Sequence, residues 1–499
     1  MRAVALCLFA ALSFARTTSA QNRPVTIDDV LGLKTVGAPT LAPDGSAVLF
    51  TIRQWQDGEG GKKDARPHLW RAPADGSAPA RQVTFGERGD SQPGWSPDGR
   101  YMSFVSSRGK QNGQDAKAQV WVMRSNGGES WPLTAAGESV EQYAWSPDSQ
   151  KVAFTTMDPV PADEKAATER RDDEREYERP TRPVHLWVVD LDSKTATRIT
   201  RGTDFTIQGA LSWAKDGDHV AFAAGASALL RDGRRDIHVV NIENARVEKI
   251  SPNFGPDTNP RFSPDGRFIA YLSEPVTAPP IGDGTPRGTV GQSHLMLYDV
   301  QTKQTRDITG SLPVDPGTPH WTPDGARLVF TAGTRAYNEA WALEVASGRA
   351  TQITKGRTLS IGTFSADGTR VAVTMDTPTT PADVHVADAA FTTLRKVSDA
   401  NPQAREFALG ATEVITWKSK DGLEVEGVLL KPVGFDPAKR YPLLVVAHGG
   451  PAGAYVNNYR VGGLEGGQVW ASQGWAVFYP NPRGSTNYGE KFLKANVAD

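Results

Sequence analysis

Cysteine is all but missing. The only one, Cys7, lies within the first twenty residues, so neither disulfides nor thiol chemistry is expected of the remaining chain. There is no His-Glu-x-x-His pattern and no Cys/His cluster, so metal catalysis is not expected. No basic run breaks a near-balanced net charge of −2, which argues against nucleic acid and against an anionic membrane surface as partners. After the leader, no apolar stretch is long enough to cross a membrane. What is present is ordinary globular composition, with 38% hydrophobic and 22% charged residues. The 499 residues are too many for one compact domain and suggest two.

The leader stands apart. Arg2 precedes an apolar run from Ala3 to Ala15, and small residues follow at Thr18-Ser19-Ala20. Residues 1–20 read as a secretory signal peptide cut after Ala20. The alternatives are a buried N-terminal helix or an uncleaved anchor, but the run is too short to span a bilayer. The expected location is periplasmic or secreted.

Beyond the leader the chain repeats itself. Trp95-Ser96-Pro97-Asp98-Gly99 has six relatives, centred on Asp44, Asp148, Asp216, Asp265, Asp324 and Asp367. Pro presets φ, Asp bonds its own backbone and Gly accepts positive φ, so each copy reads as a hairpin turn. A second repeat lies between the copies. Its anchors are Trp70, Trp121, Trp187, His238, Met296, Trp341 and His385, and its ends are Thr84, Thr134, Thr200, Ser251, Thr309, Thr354 and Ser398. The anchor-to-end distance is 14 residues once and 13 six times, whereas turn Asp to anchor varies from 17 to 39. Two fixed hairpins and one variable connection predict a four-stranded blade, and seven copies predict a seven-bladed β-propeller over 24–398. Its insertions should emerge on one face.

Residues 27–33 suggest a short amphipathic helix leading into the first blade. The largest insertion runs from Asp158 to Pro183, with eight acids and five bases between Asp163 and Arg179. It suits an exposed, solvated helix. A sharper reading turns its carboxylates, Glu174 and Glu176, toward a substrate channel to hold a cation.

After residue 398 the pattern changes. Residues 399–410 form a linker, and an α/β domain opens at 411. Val414 to Lys418 and Glu424 to Leu430 read as strands around Asp421-Gly422. Tyr441 to Ala447 is an apolar run suited to a strand buried on both faces. Gly462 to Gln473 reads as a helix stopped by Gly474, Trp475 to Tyr479 as another buried strand, and a helix begins near Tyr488. His448-Gly449-Gly450-Pro451 follows the first apolar strand, where paired glycines let backbone N–H groups face a ligand. The plain alternative is a tight turn with a structural histidine.

A propeller followed by that motif, and then by Asn481-Pro482-Arg483-Gly484-Ser485-Thr486-Asn487-Tyr488-Gly489, resembles the prolyl oligopeptidase family of serine peptidases. Within it, the acylaminoacyl-peptidase and dipeptidyl-peptidase branches look nearest. The resemblance covers the whole mature chain, and the two tail motifs are more specific than the repeats. It implies an all-β seven-bladed propeller followed by an α/β-hydrolase domain, here incomplete. It also implies a Ser-His-Asp triad that forms an acyl-enzyme on short oligopeptides. Gly449 and Gly450 would fall in the oxyanion hole. His448 stands where the dipeptidyl-peptidase IV type has a tyrosine, so a backbone role is expected there. Arg483 and Tyr488 match a loop beside the site; a loop-ordering salt bridge and a packed aromatic are their plain alternatives.

The chain also departs from the family. It contains no Gly-x-Ser-x-Gly; Gly225-Ala226-Ser227-Ala228 fails at Leu229. No histidine follows His448. None of the triad is therefore expected within residues 1–499. The chain is expected to be the N-terminal part of a longer enzyme and inactive alone, with 411–499 poorly stable alone. The expected partner is an oligopeptide substrate, with no cofactor and no metal; a homo-oligomer is allowed. The competing reading is a non-catalytic periplasmic binding propeller, which gives no reason for the tail. An esterase or lipase is disfavoured because a propeller limits access by size.

Overall fold

The structure is a computed structural model. It describes residues 22–57, 63–111, 114–172, 182–227, 234–251, 255–274, 291–309, 312–450, 452–461 and 466–496. The predicted leader and both Glu174 and Glu176 lie outside the described residues.

The turn repeats close hairpins for a visible reason. The hydroxyl two residues before the turn aspartate donates to its carboxylate in Ser96–Asp98, Ser146–Asp148, Ser263–Asp265, Thr322–Asp324 and Ser365–Asp367, at 2.5–2.6 Å. The same hydroxyl accepts the amide that reopens the strand, as Ser96 Oγ does from Tyr101 N at 2.9 Å. Gly99 takes φ +71°, and Ser149 takes +61° where the glycine is replaced.

The second repeat closes on a different hydroxyl. The terminal Thr or Ser accepts the backbone N–H of the residue preceding each anchor: Leu69, Val120, Leu186, Ile237, Leu295, Ala340 and Val384, at 2.7–3.0 Å. All seven hydroxyl residues are buried.

Together the two hairpins make a four-stranded antiparallel unit. Four units stand as separate four-stranded sheets, the first carries one extra short strand, and the last two share a nine-stranded sheet through the parallel pair Asn338–Thr358. Each unit is bonded to the next. The bonds are Trp95 Nε1 to Thr40 O at 3.1 Å, Trp145 Nε1 to Ser103 Oγ at 2.9 Å and Trp213 Nε1 to Ala144 O at 3.0 Å. Phe262 N to Ser212 Oγ and Trp321 Nε1 to Arg261 O follow, each at 3.0 Å. The last unit is bonded to the first through Leu41 N to Thr363 Oγ1 at 2.7 Å and Ala366 N to Pro43 O at 2.8 Å. One apolar cluster joins Val36, Val48 and Phe50 of the first unit to Ala372, Val384 and Val386 of the last.

The tail forms a separate sheet of strands β1 (Thr412–Lys418), β2 (Glu424–Leu430), β3 (Leu443–Val445) and β4 (Ala476–Asn481), in the order β1-β2-β4-β3. The pair β3–β4 is parallel, and the helix Gly467–Ser472 lies in its crossover. The apolar run at 441–447 does not behave as expected. Only three of its residues form a strand, and Leu443 and Val445 are 54% and 56% exposed. Among the described residues β3 is the sheet edge, so one of its faces has no cover. The helix expected from Gly462 begins at Gly467, and residues 462–465 lie outside the described set.

The N-terminal helix Ile27–Gly32 is closed by a reciprocal cap between Thr26 and Asp29. It leads into the first unit, where Thr35–Val36 pairs with Arg53 and Ile52. Val25 packs with Ala404, Phe407 and Val461, and Arg23–Pro24 pairs in parallel with Phe407–Ala408. The predicted linker is thus ordered against the N-terminal segment and the tail.

Replacing one repeat hydroxyl isolates its contribution. Thr200→Val keeps the shape but strips the Leu186 amide of its acceptor, and is expected to cost about 1–3 kcal/mol. Thr200→Ser should retain most of that. Urea unfolding followed by tryptophan fluorescence measures both, and equal stability of the two variants would contradict the role.

Candidate active site

The parallel strand β3 delivers the chain to His448-Gly449-Gly450. Gly450 takes φ +135°, and a Cβ there would meet Ala452 N at 2.8 Å, so only glycine fits this turn. In front of Gly449 there is open space, with nothing within 4 Å of a Cβ built on it. Among the described residues the amides of Gly449 and Gly450 have no hydrogen-bond acceptor.

His448 is held rather than free. Its Nε2 lies 3.0 Å from Ser485 Oγ, and its ring meets Tyr455 edge-on at 5.4 Å. Ser485 Oγ donates its one hydrogen to Pro482 O at 2.6 Å, so it accepts from His448 Nε2–H. Ser485 is also fully buried. A nucleophilic serine needs the opposite polarity, with its hydrogen directed at the imidazole. This pair orders the loop.

Behind the histidine runs a chain of satisfied polar groups. Buried Asn481 accepts from Tyr455 N at 2.7 Å and donates to Tyr455 O at 2.9 Å and to Tyr488 Oη at 2.8 Å. Tyr488 donates to Glu426 Oε1 at 2.8 Å. Burial, then the Glu426 charge, pushes the Tyr488 phenol well above its usual range. Glu426, 3% exposed, is gripped by Arg335 Nε at 2.8 Å and Nη2 at 2.7 Å. Arg335 sits at φ +54° in the hairpin joining strands two and three of the sixth unit; its N–H donates to Asn487 O at 2.8 Å and its carbonyl accepts from Asn487 Nδ2 at 3.1 Å. One network therefore links a propeller hairpin to the histidine. Arg483 lies elsewhere: its Nη2 is 2.6 Å from Asp421 Oδ2 and 3.3 Å from Ser419 Oγ, tying the loop to the β1–β2 turn.

Sequence reasoning passed over Glu426, although a carboxylate beside Gly427-Val428-Leu429-Leu430 in a strand was a readable signal. Tyr455, Asn481 and Ser485 carried no such mark.

A second contact brings Asp376, from the seventh unit, against the segment 457–460. Its Oδ2 accepts Tyr459 N at 3.1 Å. Burial raises its carboxyl to about 6, against the lowering effects of the Tyr459 amide, Arg460 and Asn458. Arg460 in turn lies over the Tyr455 and Tyr479 rings at 4.7 and 4.6 Å.

Asp376 makes docking pH-dependent. Its folded value of about 6 exceeds an unfolded value of about 4, so the folded state holds the proton more tightly. Its contribution to stability is greatest below about pH 4 and is lost as pH rises through about 6. Asp376→Asn keeps an acceptor for Tyr459 N. It is expected to change stability little near pH 4 and to raise it by about 1–3 kcal/mol near pH 8. Denaturant unfolding at both pH values checks this, and an equal effect at both would refute it.

Comparison with known proteins places these features. No family model matches the chain. It is 24% identical over an alignment 531 positions long to an uncharacterized peptidase, YuxL, of Bacillus subtilis, covering 95% of this chain and 73% of that protein. It is 24% identical over 492 residues to dipeptidyl-peptidase 5 of Porphyromonas gingivalis, covering 92% and 68%. Among solved structures it resembles the acylaminoacyl peptidase of Pyrococcus horikoshii, with TM-score 0.68 and 18% identity over 93% of this chain and 67% of that one. The structural likeness shows a shared fold, and along nearly its whole length the chain is similar to proteins named as a peptidase and a dipeptidyl-peptidase.

Proposed function

We propose that the chain is the propeller and the opening part of the catalytic domain of a serine peptidase acting on short oligopeptides, exported to the periplasm or secreted. The seven β units form one closed ring, a reading supported by bonds from each unit to the next and from the last to the first. The observation that carries the catalytic reading is the Gly449-Gly450 turn at the end of a parallel strand, with open space beside Gly449 and no acceptor for either amide among the described residues. Two N–H groups so placed are what a tetrahedral oxyanion requires. His448 takes a structural part, aimed by Ser485 and Tyr455. Arg483 and Tyr488 act on the loop's position rather than on substrate.

The nucleophile, base and acid of the triad would come from residues beyond 499. Two observations support this. The uncovered face and outer edge of β3 lie where further strands and helices would pack, and the relatives are longer than this chain. Relatives named dipeptidyl-peptidase and acylaminoacyl peptidase suggest release of dipeptides or acylated amino acids. Glu174 and Glu176 are the proposed holders of a substrate ammonium.

The test compares the 499-residue chain with the product of the same gene read onward past codon 499. The longer protein is expected to cleave dipeptide p-nitroanilides and to be blocked by a serine-directed phosphonate, whereas the 499-residue chain is expected to be inert. Phosphonate-sensitive activity in the shorter chain would overturn the missing triad. Inactivity of both toward dipeptidyl and acylaminoacyl substrates would overturn the peptidase reading.

A further inference from the structure

A half-buried cation is left over by everything described so far. Arg261 is the next-to-last residue of the first strand of the fifth unit, Asp257–Phe262, and pairs with Ala270. The equivalent slot, one residue before the apolar residue that ends each first strand, holds small or hydroxyl side chains in Thr40, Gly94, Ala144, Ser212 and Thr363. In the sixth unit it holds His320. Arg261 is thus the one fixed charge of this tier. First strands of successive units lie against one another, which brings these slots together around the axis of the ring.

The described residues offer Arg261 very little. Its guanidinium has five N–H donors. One bond is formed, from Nη1 to the neighbouring Pro260 O at 3.1 Å, and no carboxylate lies within ion-pair distance. Its own carbonyl is taken by Trp321 Nε1 at 3.0 Å. His320 is the adjacent ionisable group. Burial and the Arg261 charge push it down to about 4, so it is neutral at ordinary pH and leaves Arg261 as the charge an anion would meet. The His320 ring lies 6.2 Å from the Phe364 ring. Burial likewise lowers the Arg261 guanidinium, although both side chains keep some accessible surface. Groups lining an internal passage combine strong desolvation with residual access. An enclosed cation without a counter-charge is costly unless an anion meets it, and a planar fork of donors fits an oxyanion with two oxygens.

We propose that Arg261, with His320 beside it, forms an oxyanion site for a carboxylate at the end of the axial passage remote from His448. The tail docks on Arg335, Thr358 and Asp376, at the end where first strands begin, whereas Arg261 stands where its strand finishes. The site rests on the closed-ring reading but not on the peptidase chemistry. A carboxylate could be a peptide C-terminus, and a free inorganic anion shares the same chemistry.

The experiment uses the 499-residue protein and the NMR titration of His320, with Trp321 fluorescence as a second reporter. Three probes are added: an acetylated tripeptide acid, its C-terminal amide, and inorganic phosphate. The acid is expected to shift both reporters and to weaken with added salt, while the amide leaves them unchanged. Arg261→Gln should weaken the acid at least tenfold, with Arg261→Lys in between, because it keeps the charge and loses the fork. Phosphate acting as strongly as the acid would support the oxyanion site with a free anion as its source. Equal effects of acid and amide, or unaltered binding in Arg261→Gln, would overturn the site. The ring reading has its own readout: Arg261→Gln should raise the His320 titration point, and no change would mean that the slots do not converge. The wild-type titration stands even if a variant fails to fold.

Discussion

A buried hydroxyl that accepts one backbone amide recurs in every β unit, and the spacing of the chain follows from it. The fourth strand of a unit is short, as in Ala196–Arg198, Val247–Lys249 or Leu394–Lys396, and it leaves the adjacent third-strand amides beyond its reach. An unpaired buried N–H is expensive. The hydroxyl of Thr200, Ser251 or Ser398 arrives just after that strand and takes the amide of Leu186, Ile237 or Val384. The interval between anchor and hydroxyl is held at 13 residues in six units, and the first unit, with 14, still delivers Thr84 to the Leu69 amide. Length variation passes instead to the connection between second and third strands, which reaches solvent or the tail.

The first strand poses the complementary difficulty. Its inner edge has no strand beside it, and an open edge invites pairing with other chains. Neighbouring units satisfy it piecemeal: indole N–H groups of Trp95, Trp213 and Trp321 reach carbonyls of the unit before. The tryptophan next to the turn motif is therefore both a core residue and a clamp between sheets. Leu41, which lacks an indole N–H, occupies the same register at the junction of last and first units. There the bonds come from backbone amides to Thr363 and Pro43.

Much of this could be read from residue types and intervals, and the reasons for the rest are physical. The repeats were legible because turn chemistry and hairpin length are local. The tail motifs were legible as glycines at a strand end. The exposure of Leu443 and Val445 was not, since an apolar run reports what a strand can bury and not whether a neighbour is present. The N-terminal helix showed its period, but its docking site near residue 404 is nearly 400 positions away in the chain. Arg335 was invisible for the same reason. Its partners Glu424 and Glu426 lie about ninety residues further on, and nothing around Thr334-Arg335-Ala336 distinguishes that hairpin from its six counterparts.

That hairpin explains why the tail should depend on the propeller. Ala336 and Tyr337 belong to the apolar cluster of Val428, Leu430, Tyr455, Val477 and Tyr479, so the core of the tail is incomplete without side chains from the sixth unit. The polar network has the same dependence. Removing Arg335 leaves Glu426 as a buried carboxylate with only the Tyr488 hydroxyl for company, and an unpaired buried charge is among the most destabilising features a fold can contain. Tyr488 would then be tied to a carboxylate that nothing holds in place, and through Asn481 it adjoins the Tyr455 backbone and hence the ring against His448. Order at the glycine turn is thus imported from a domain that contributes nothing to its backbone.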